Sequence, residues 1–288
     1  MQRRGRELGA PARLAAFAAV LAVVGGAAAL AGKATGGGRA PAPHAEAAMS
    51  MDEAASAQAN GLASGAGGYS FVPARSTLPL GKAAPYRFTI LDAKGKPVRD
   101  FDVDGGVRLH LIVVRRDYLG YQHLHPSLAR NGAWSVPLTL RDPGAYRAYA
   151  DFEVDGVKTV LGNDISVPGR FTPEPMPDAR PSVVADGFTV ALRHESLRAG
   201  KETQLRFSIS RGGHPVPSFD SYVGHRGHLV ALHDGDLAYS HVHPEPVGRR
   251  GEIDFHTQLS AAGRYRLFLQ FKVDGVVHTA PFTVEVAR

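Results

Sequence analysis

The stretch "YRAYADFEVDGVKTVL", residues 146–161, decides the fold. On both sides of its Asp-Gly pair, apolar and aromatic residues alternate with polar ones, and a period of two indicates β-strands. An Asp-Gly pair between two such runs favours a tight hairpin turn. The same design returns at residues 265–280 as "YRLFLQFKVDGVVHTA". The sequence therefore predicts antiparallel hairpins, and it predicts them twice.

The repeat extends over most of the chain, at offsets of 118 or 119 residues. Two further matches are "RFTI" from Arg87 with "RFSI" from Arg206, and "HLHP" from His123 with "HVHP" from His241. So many matches with single-residue slips indicate duplication. We expect a signal peptide or membrane anchor at 1–32, a disordered Ala/Gly-rich linker at 33–67, β-sandwich modules at 68–168 and 187–288, and a Pro-rich linker at 169–186 between them.

Each module is predicted to be all-β. Its apolar runs are short, alternating or β-branched, and Gly, Pro and Asp separate them without a helical period. The Gly-x-Tyr at Gly144–Tyr146 opens the penultimate strand, where a Tyr hydroxyl commonly bonds back across an immunoglobulin-type corner. We therefore expect two tandem immunoglobulin-like or cupredoxin-like β-sandwich domains.

The N-terminus predicts export. A basic "MQRRGR" precedes the uncharged run "LAAFAAVLAVVGGAAALA", Leu14–Ala31, which ends in an A-x-A pattern. Such a segment is typical of a signal peptide or of a single uncleaved anchor, and its length fits both. We expect the rest of the chain outside the cytoplasm, either anchored in the cell membrane or secreted.

Composition excludes several classes of function. The chain has no Cys, so disulfides, thiolate metal ligands and Cys nucleophiles are excluded. Of the net charge of +6, the first 33 residues carry +4, from five basic side chains and one acidic one. Because no basic cluster is interleaved with aromatic residues, no nucleic-acid partner is expected. Protein partners are not predictable from these features.

A second hairpin, "RGHLVALHDGDLAYSHVHPEP" at 226–246, is rich in histidine. Its Asp234-Gly235 pair predicts a two-residue type I′ turn. The resulting register places Leu232 opposite Leu237, Val230 opposite Tyr239, His228 opposite His241, and Arg226 opposite His243. The first module repeats this with Val114 opposite Leu119, Ile112 opposite Tyr121, His110 opposite His123, and Arg108 opposite His125. Three imidazoles are thus predicted on one face in each module.

The pattern H-x12-H-x-H-P therefore occurs twice and defines the candidate metal ligands. They are His110, His123, His125, His228, His241 and His243. Metal–nitrogen bonds of about 2.0–2.1 Å let such a spread of imidazoles close on one ion. The predicted cofactor is a divalent metal ion, with copper favoured and zinc as the second candidate.

The sequence resembles a group of largely uncharacterised exported bacterial proteins that carry "HLHP"-type motifs on small sandwich domains, similar in style to cupredoxin-like copper-handling modules of the envelope. The resemblance covers about residues 68–288. It implies binding of copper or another divalent metal in the envelope. Blue-copper centres need a Cys thiolate, so their electron-transfer role does not carry over.

Three alternatives stay open. In a structural or adhesive envelope protein, the histidines would only satisfy one another or nearby backbone. In an anion-binding module, Arg108 and Arg226, which have no lone pair and repel cations, would act with the histidines. An open three-His site would also suit a metalloenzyme. The sequence nevertheless lacks a nucleophile elbow, a phosphate-binding glycine loop and an H-E-x-x-H motif, so a non-enzymatic protein is expected.

Overall fold

A computed structural model describes residues 60–245 and 249–288, except for the side chains of His241 and His243. The predicted signal or anchor segment lies outside the described residues. Within the part that is described, no helix has the length and apolar character needed to cross a bilayer. Residues 60–67, assigned from sequence to the linker, include the first strand.

The first sandwich consists of nine antiparallel strands in two sheets. They are β1 (Gly65–Ala66), β2 (Tyr69–Pro73), β3 (Ala84–Leu91), β4 (Leu109–Arg115), β5 (Gln122–Leu124), β6 (Ser127–Leu128), β7 (Ala133–Leu138), β8 (Gly144–Val154) and β9 (Val157–Val167). One sheet has the order β1-β2-β3-β7-β6 and the other has the order β5-β4-β8-β9.

The second sandwich repeats this plan. Its strands are β10 (Ser182–Ala185), β11 (Phe188–His194), β12 (Glu202–Arg211), β13 (His214–Pro215), β14 (Gly227–His233), β15 (Tyr239–His241), β16 (His243–Pro244), β17 (Glu252–Gln258), β18 (Gly263–Val273) and β19 (Val276–Val286). The sheets have the orders β10-β11-β12-β17-β16, with β13 beside β12, and β15-β14-β18-β19. The expected all-β pair of sandwich domains is confirmed.

Alternation along the strands produces a separate core in each sandwich. In β3, Tyr86, Phe88 and Ile90 are buried while the residues between them are more exposed. In the second sandwich, Phe207 and Phe255 from neighbouring strands occupy the equivalent layer. Side chains alternate between the two faces of a sheet. The sheets β5-β4-β8-β9 and β15-β14-β18-β19 therefore each have a second face, which is available for a different contact.

That other face forms a third apolar layer, which joins the sandwiches. In β4, Leu109, Leu111 and Val113 face the first core, whereas Ile112 and Val114 belong to the joining layer. The whole layer consists of Ile112, Val114, Tyr118, Tyr149, Val160, Val230, Leu232, Leu237, Tyr239 and Phe268, with Tyr121 and Met176 at its margin. Burying one large apolar side chain contributes about 1.5–3 kcal/mol, so this layer fixes the two sheets face to face.

The predicted corners and final hairpins are confirmed. The Tyr146 hydroxyl donates to the Asp142 carbonyl at 2.8 Å, and the Tyr265 hydroxyl donates to the Ala261 carbonyl at 3.1 Å. In the final hairpin of the first module, Asp155 and Gly156 both have positive φ, 53° and 78°, as a type I′ turn requires.

The predicted register of the second histidine hairpin is wrong by two residues. Val230 pairs with His241 and Leu232 with Tyr239. The turn is a four-residue loop, closed by the His233 amide donating to the Ala238 carbonyl at 2.9 Å. Leu237, not Asp234, takes the left-handed conformation, with φ 62°.

Hydrogen bonds to the loop explain why the turn is longer than the predicted two residues. Asp236 Oδ1 accepts from the Ala238 amide at 2.9 Å and contacts His233 Nδ1 at 2.8 Å. From the other module, the Tyr118 hydroxyl donates to Asp234 Oδ1 at 3.0 Å and lies 3.1 Å from the Gly235 amide, which donates to it. These bonds override the local preference of the Asp-Gly pair.

The first histidine hairpin has the same two-residue error. His123 pairs with Ile112, not with His110. The chain turns through Tyr118 and Gly120, with φ 67° and 61°, so the loop is longer than the predicted two residues. A shift by two keeps every side chain on its face, whereas a shift by one would have turned the histidines away from one another.

Candidate metal centre between the two sandwiches

Three histidines are brought to one place by strand alternation. His110 shares its face of β4 with Ile112 and Val114, so its ring lies on the face that joins the sandwiches. His228 has the same relation to the joining layer in β14. His123 lies opposite Ile112 across the β4–β5 ladder and therefore shares that face.

The ligand atoms of His110, His123 and His228 all lie within 4.8 Å of one another. The ring centroid of His123 lies 5.0 Å from that of His110 and 4.4 Å from that of His228. His110 Nδ1 lies 2.8 Å from His123 Nε2, a hydrogen-bond distance. The cluster thus contains two histidines from the first module and one from the second.

His125 borders this cluster. Its ring centroid lies 5.3 Å from that of His110 and 4.8 Å from that of His123. Its Nε2 is buried and has no hydrogen-bond partner among the described residues. A buried nitrogen without a partner is costly, so His125 has an unused donor or acceptor beside the three rings.

The backbone separates His241 from His243. His241 ends β15 in the sheet that carries His228, at the position equivalent to that of His123 in β5. His243 begins β16, which pairs with β17 of the opposite sheet, and it lies across from His256. The predicted pairing of His243 with Arg226 in one hairpin is therefore wrong, because the chain changes sheets between the two histidines.

Two residues that orient His123 were not predicted from sequence. Gln270 Oε1 lies 2.7 Å from His123 Nδ1, and the Tyr222 hydroxyl lies 3.2 Å from the same atom. With the Gln270 oxygen as acceptor, Nδ1 carries the proton and Nε2 keeps its lone pair, which faces His110. The repeat aligns Gln270 with Asp151, and both residues lie opposite a cluster histidine: Gln270 pairs with His228 in the β14–β18 ladder, and Asp151 pairs with His110 in the β4–β8 ladder. This alignment could have marked Gln270 as a neighbour of the cluster.

The equivalent of Gln270 in the first module, Asp151, has a different partner. Its Oδ2 accepts from the Tyr239 hydroxyl at 2.9 Å, and both residues are buried. The two modules therefore contribute unequal polar groups on either side of the histidines.

Burial keeps the rings neutral. Desolvation, assisted by the neighbouring His110 and His125, lowers the pKa of the His123 imidazole to about 3. Desolvation, with a further contribution from His110, lowers the pKa of His125 to about 4. At neutral pH both rings therefore hold the lone pair that a metal ion requires.

A cleft of about 280 Å³ opens beside the cluster, with His110 and His228 in its wall. Arg108 and Lys158 also line it, together with the carboxylates of Asp102, Asp104 and Glu153. Arg108 was predicted to lie opposite His125 in the hairpin, but it lines this cleft instead. The histidine cluster thus has one side, at His110 and His228, that borders an open cleft.

The fold and the cluster define a class: a tandem immunoglobulin-like β-sandwich protein with histidines gathered where its two modules meet. The chain belongs to the family described as "Domain of unknown function (DUF8832)", whose model matches residues 64–169 and again 182–288. The double match confirms the internal duplication. A comparison with curated proteins found no match.

Three solved structures are similar to parts of this chain. An Escherichia coli adhesin, FdeC, is 16% identical, with 76% of this chain and 64% of that chain covered and a TM-score of 0.27. Invasin, described as a bacterial integrin-binding protein, is 15% identical, with coverage of 76% and 39% and a TM-score of 0.26. Domains 4 and 5 of the S-layer protein SbsC are 10% identical, with coverage of 76% and 98% and a TM-score of 0.22. At these TM-scores the likenesses carry no inference about function.

Proposed function

We propose that the two modules together bind one divalent metal ion, with copper favoured over zinc, through His110, His123 and His228. The observation that carries this proposal is the convergence of three ligand atoms within 4.8 Å at the junction of the sandwiches. Imidazole is a preferred ligand of both metals, and the His123 ring, whose pKa is lowered by burial, does not have to lose a proton before binding at pH 7.

The spacing of the ligand atoms, all within 4.8 Å of one another, can be compared with that of a coordination sphere. Metal–nitrogen bonds of about 2.0–2.1 Å in a tetrahedron place nitrogen atoms about 3.4 Å apart. The 2.8 Å contact between His110 and His123 is shorter, because a shared proton occupies the place between the two nitrogens. A metal ion would replace that proton, and His110 would then carry its own proton on Nε2.

Two further histidines are proposed to complete the coordination. His125 lies at the edge of the cluster with a buried, unpartnered nitrogen among the described residues. His241 occupies in β15 the register position that His123 occupies in β5, so the duplication offers it as a further ligand. The role of His243 as a ligand stays a prediction.

The test is a metal titration of the full chain with Cu²⁺ and Zn²⁺, followed by metal analysis after dialysis. The wild type is expected to retain one ion per chain, and His228→Ala is expected to lose it. His194→Ala, which removes an exposed histidine in β11, is the matched control. Equal metal retention by the wild type and His228→Ala would overturn the proposal. His228→Gln is the folding control: loss of the metal at an unchanged melting temperature would show that a ligand was lost and not the fold.

A structural role is the second candidate, and one observation favours it. His110 bonds to His123, and His123 bonds to Gln270, so these two rings have hydrogen-bond partners without any ion. In this structural or adhesive envelope protein, replacement of His123 would lower the melting temperature, while a chelator would leave the melting temperature of the wild type unchanged.

We propose that the protein acts outside the cytoplasm, either anchored in the membrane or secreted. The support is the basic and then apolar N-terminus of the sequence. Fractionation of cells that express the full chain tests this, and recovery in the cytosol would contradict it.

A further inference from the structure

The duplicated modules place a buried arginine at equivalent positions. Arg147 in β8 and Arg266 in β18 follow the corner tyrosines Tyr146 and Tyr265. Each arginine is 7% exposed. A desolvated guanidinium is unfavourable unless anions or carbonyl oxygens compensate it, so the two sites can be compared by the partners of each guanidinium.

Arg147 is fully compensated. Its Nε donates to the Gly61 carbonyl at 3.0 Å, and its Nη2 donates to the carbonyls of Gly61 and Leu62. Its Nη1 donates to Asp164 Oδ1 at 2.9 Å. One carboxylate and two main-chain carbonyls thus surround this guanidinium.

Arg266 lacks these partners. Thr283 stands where the first module has Asp164, and Arg266 Nη1 donates to Thr283 Oγ1 at 2.9 Å. Its Nε is buried and has no hydrogen-bond partner within residues 60–245 and 249–288, and no ion pair to it occurs there. Burial also lowers the pKa of this guanidinium, whose Cζ lies 5.9 Å from the Phe268 ring centroid and which has no carboxylate partner among the described residues.

Within residues 60–245 and 249–288, no main-chain carbonyl accepts from Arg266 in the way that those of Gly61 and Leu62 accept from Arg147. The carbonyl of Gly61 approaches so closely that a Cβ on Gly162 would lie 1.8 Å from its oxygen. The position equivalent to Gly162 is Pro281, which carries a Cβ, so a carbonyl cannot approach there as that of Gly61 does. The group that fits here is therefore smaller than a strand and arrives from another direction.

A cleft gives a small group access to Arg266. A cleft of about 230 Å³ has Arg266 and Thr283 in its wall. Arg180, Asp178, Val183 and Phe282 also line it, so its charged side chains are two cations and one anion. Asp178 does not pair with Arg266 among the described contacts, and Arg180 adds a second cation.

We propose that this cleft binds a small carboxylate, which pairs with Arg266 and accepts a second hydrogen bond from Thr283 or Arg180. The carboxylate would supply the group that Asp164 supplies in the first module. A guanidinium binds a carboxylate with two parallel hydrogen bonds, and this geometry favours carboxylate over a spherical anion such as chloride. The site is independent of the histidine cluster.

The test uses the full chain, with succinate as the probe and chloride as the reference at equal ionic strength. Succinate is expected to raise the melting temperature of the wild type, and calorimetry is expected to show at least about tenfold weaker binding by Arg266→Gln, since charged hydrogen bonds are lost. Arg193→Gln, at an exposed arginine of β11, is the matched control.

Thr283→Asp is the second variant, and it restores the carboxylate of the first module. It is expected to raise the melting temperature without succinate and to abolish the response to succinate. A wild type that responds equally to chloride and succinate would overturn the proposal, as would a Thr283→Asp protein that still binds succinate. Metal retention is expected to be the same in all these variants, so the outcome is separate from that of the metal proposal.

Discussion

At the scale of single residues, His123 connects the two modules. It belongs to the first module, yet its Nδ1 bonds to Gln270 of the second and its Nε2 faces His110. A hydrogen bond to the second nitrogen of a metal-binding histidine fixes both the ring and the tautomer. The first module thus supplies the ring, and the second module supplies its orientation.

Replacing Gln270 by Leu is expected to weaken metal binding about 10- to 100-fold, because the acceptor that fixes His123 is lost. Competition with a chelator of known affinity measures the change. Gln258→Leu, at an exposed position of β17, serves as the control. An unchanged affinity in Gln270→Leu would show that the ring needs no such support.

Metal-free protein is expected to lose stability as the pH falls from about 6.5 towards 4. The pKa of His123 is about 3 and that of His125 about 4 in the folded chain, against 6.5 for a free imidazole. The unfolded chain therefore binds more protons in this range, so the free energy of unfolding decreases with falling pH. His110, His228 and Asp151 lie beside the same cluster.

Urea denaturation at a series of pH values measures this dependence. A His123→Gln, His125→Gln variant is expected to show a shallower decline between pH 6.5 and 4. The same slope in the variant and the wild type would assign the acid sensitivity to other groups.

At the scale of strands and turns, the same dipeptide folds in two ways. Asp155-Gly156 forms the predicted type I′ turn, whereas Asp234-Gly235 lies in a four-residue loop. The difference arises from partners far away in sequence, since the Tyr118 hydroxyl bonds to both Asp234 and Gly235. A local pattern predicts a turn only where no tertiary contact competes.

Replacing Tyr118 by Phe is expected to lower the free energy of unfolding by about 1–3 kcal/mol, because the part-buried hydrogen bonds of its hydroxyl to Asp234 and Gly235 are lost. Thermal or urea denaturation measures the change. Tyr86→Phe is the matched control, because the buried Tyr86 hydroxyl has no partner among the described residues. Equal destabilisation by both variants would remove the proposed role of the loop contact.

Much of the fold was predictable at this scale, while the candidate site was predictable only in part. Period-two alternation predicted the strands, and the repeat predicted the twin sandwiches and corner tyrosines. The shared face of His110 and His123 survived a two-residue error in register, because side-chain direction has the same period. The approach of His228 from the other module was not predictable, since nothing in either hairpin specifies which sheets meet.

At the scale of the whole molecule, the joining layer carries both stability and the site. Tyr121 stacks on Phe268 with ring centroids 4.1 Å apart and an angle of 8°, which links one sandwich directly to the other. The histidines lie on the same two faces as these rings. Any change that separates the faces also separates the ligands.

Phe268→Ala is therefore expected to lower stability by about 3–5 kcal/mol and to weaken metal binding as well. Thermal denaturation with and without metal measures both effects. Val184→Ala, at a side chain that is 76% exposed, is the control. A Phe268→Ala protein that keeps full metal affinity would show that the cluster does not depend on the joining layer.

The division of ligands between two modules has a consequence for the integrity of the chain. Proteolytic cleavage of the Pro-rich segment that connects them would turn an intramolecular contact into an association of two fragments. An ion bound by histidine rings from both fragments would then link the two fragments noncovalently. The joining layer would still hold the two fragments together, and removal of the ion by a chelator would weaken their association.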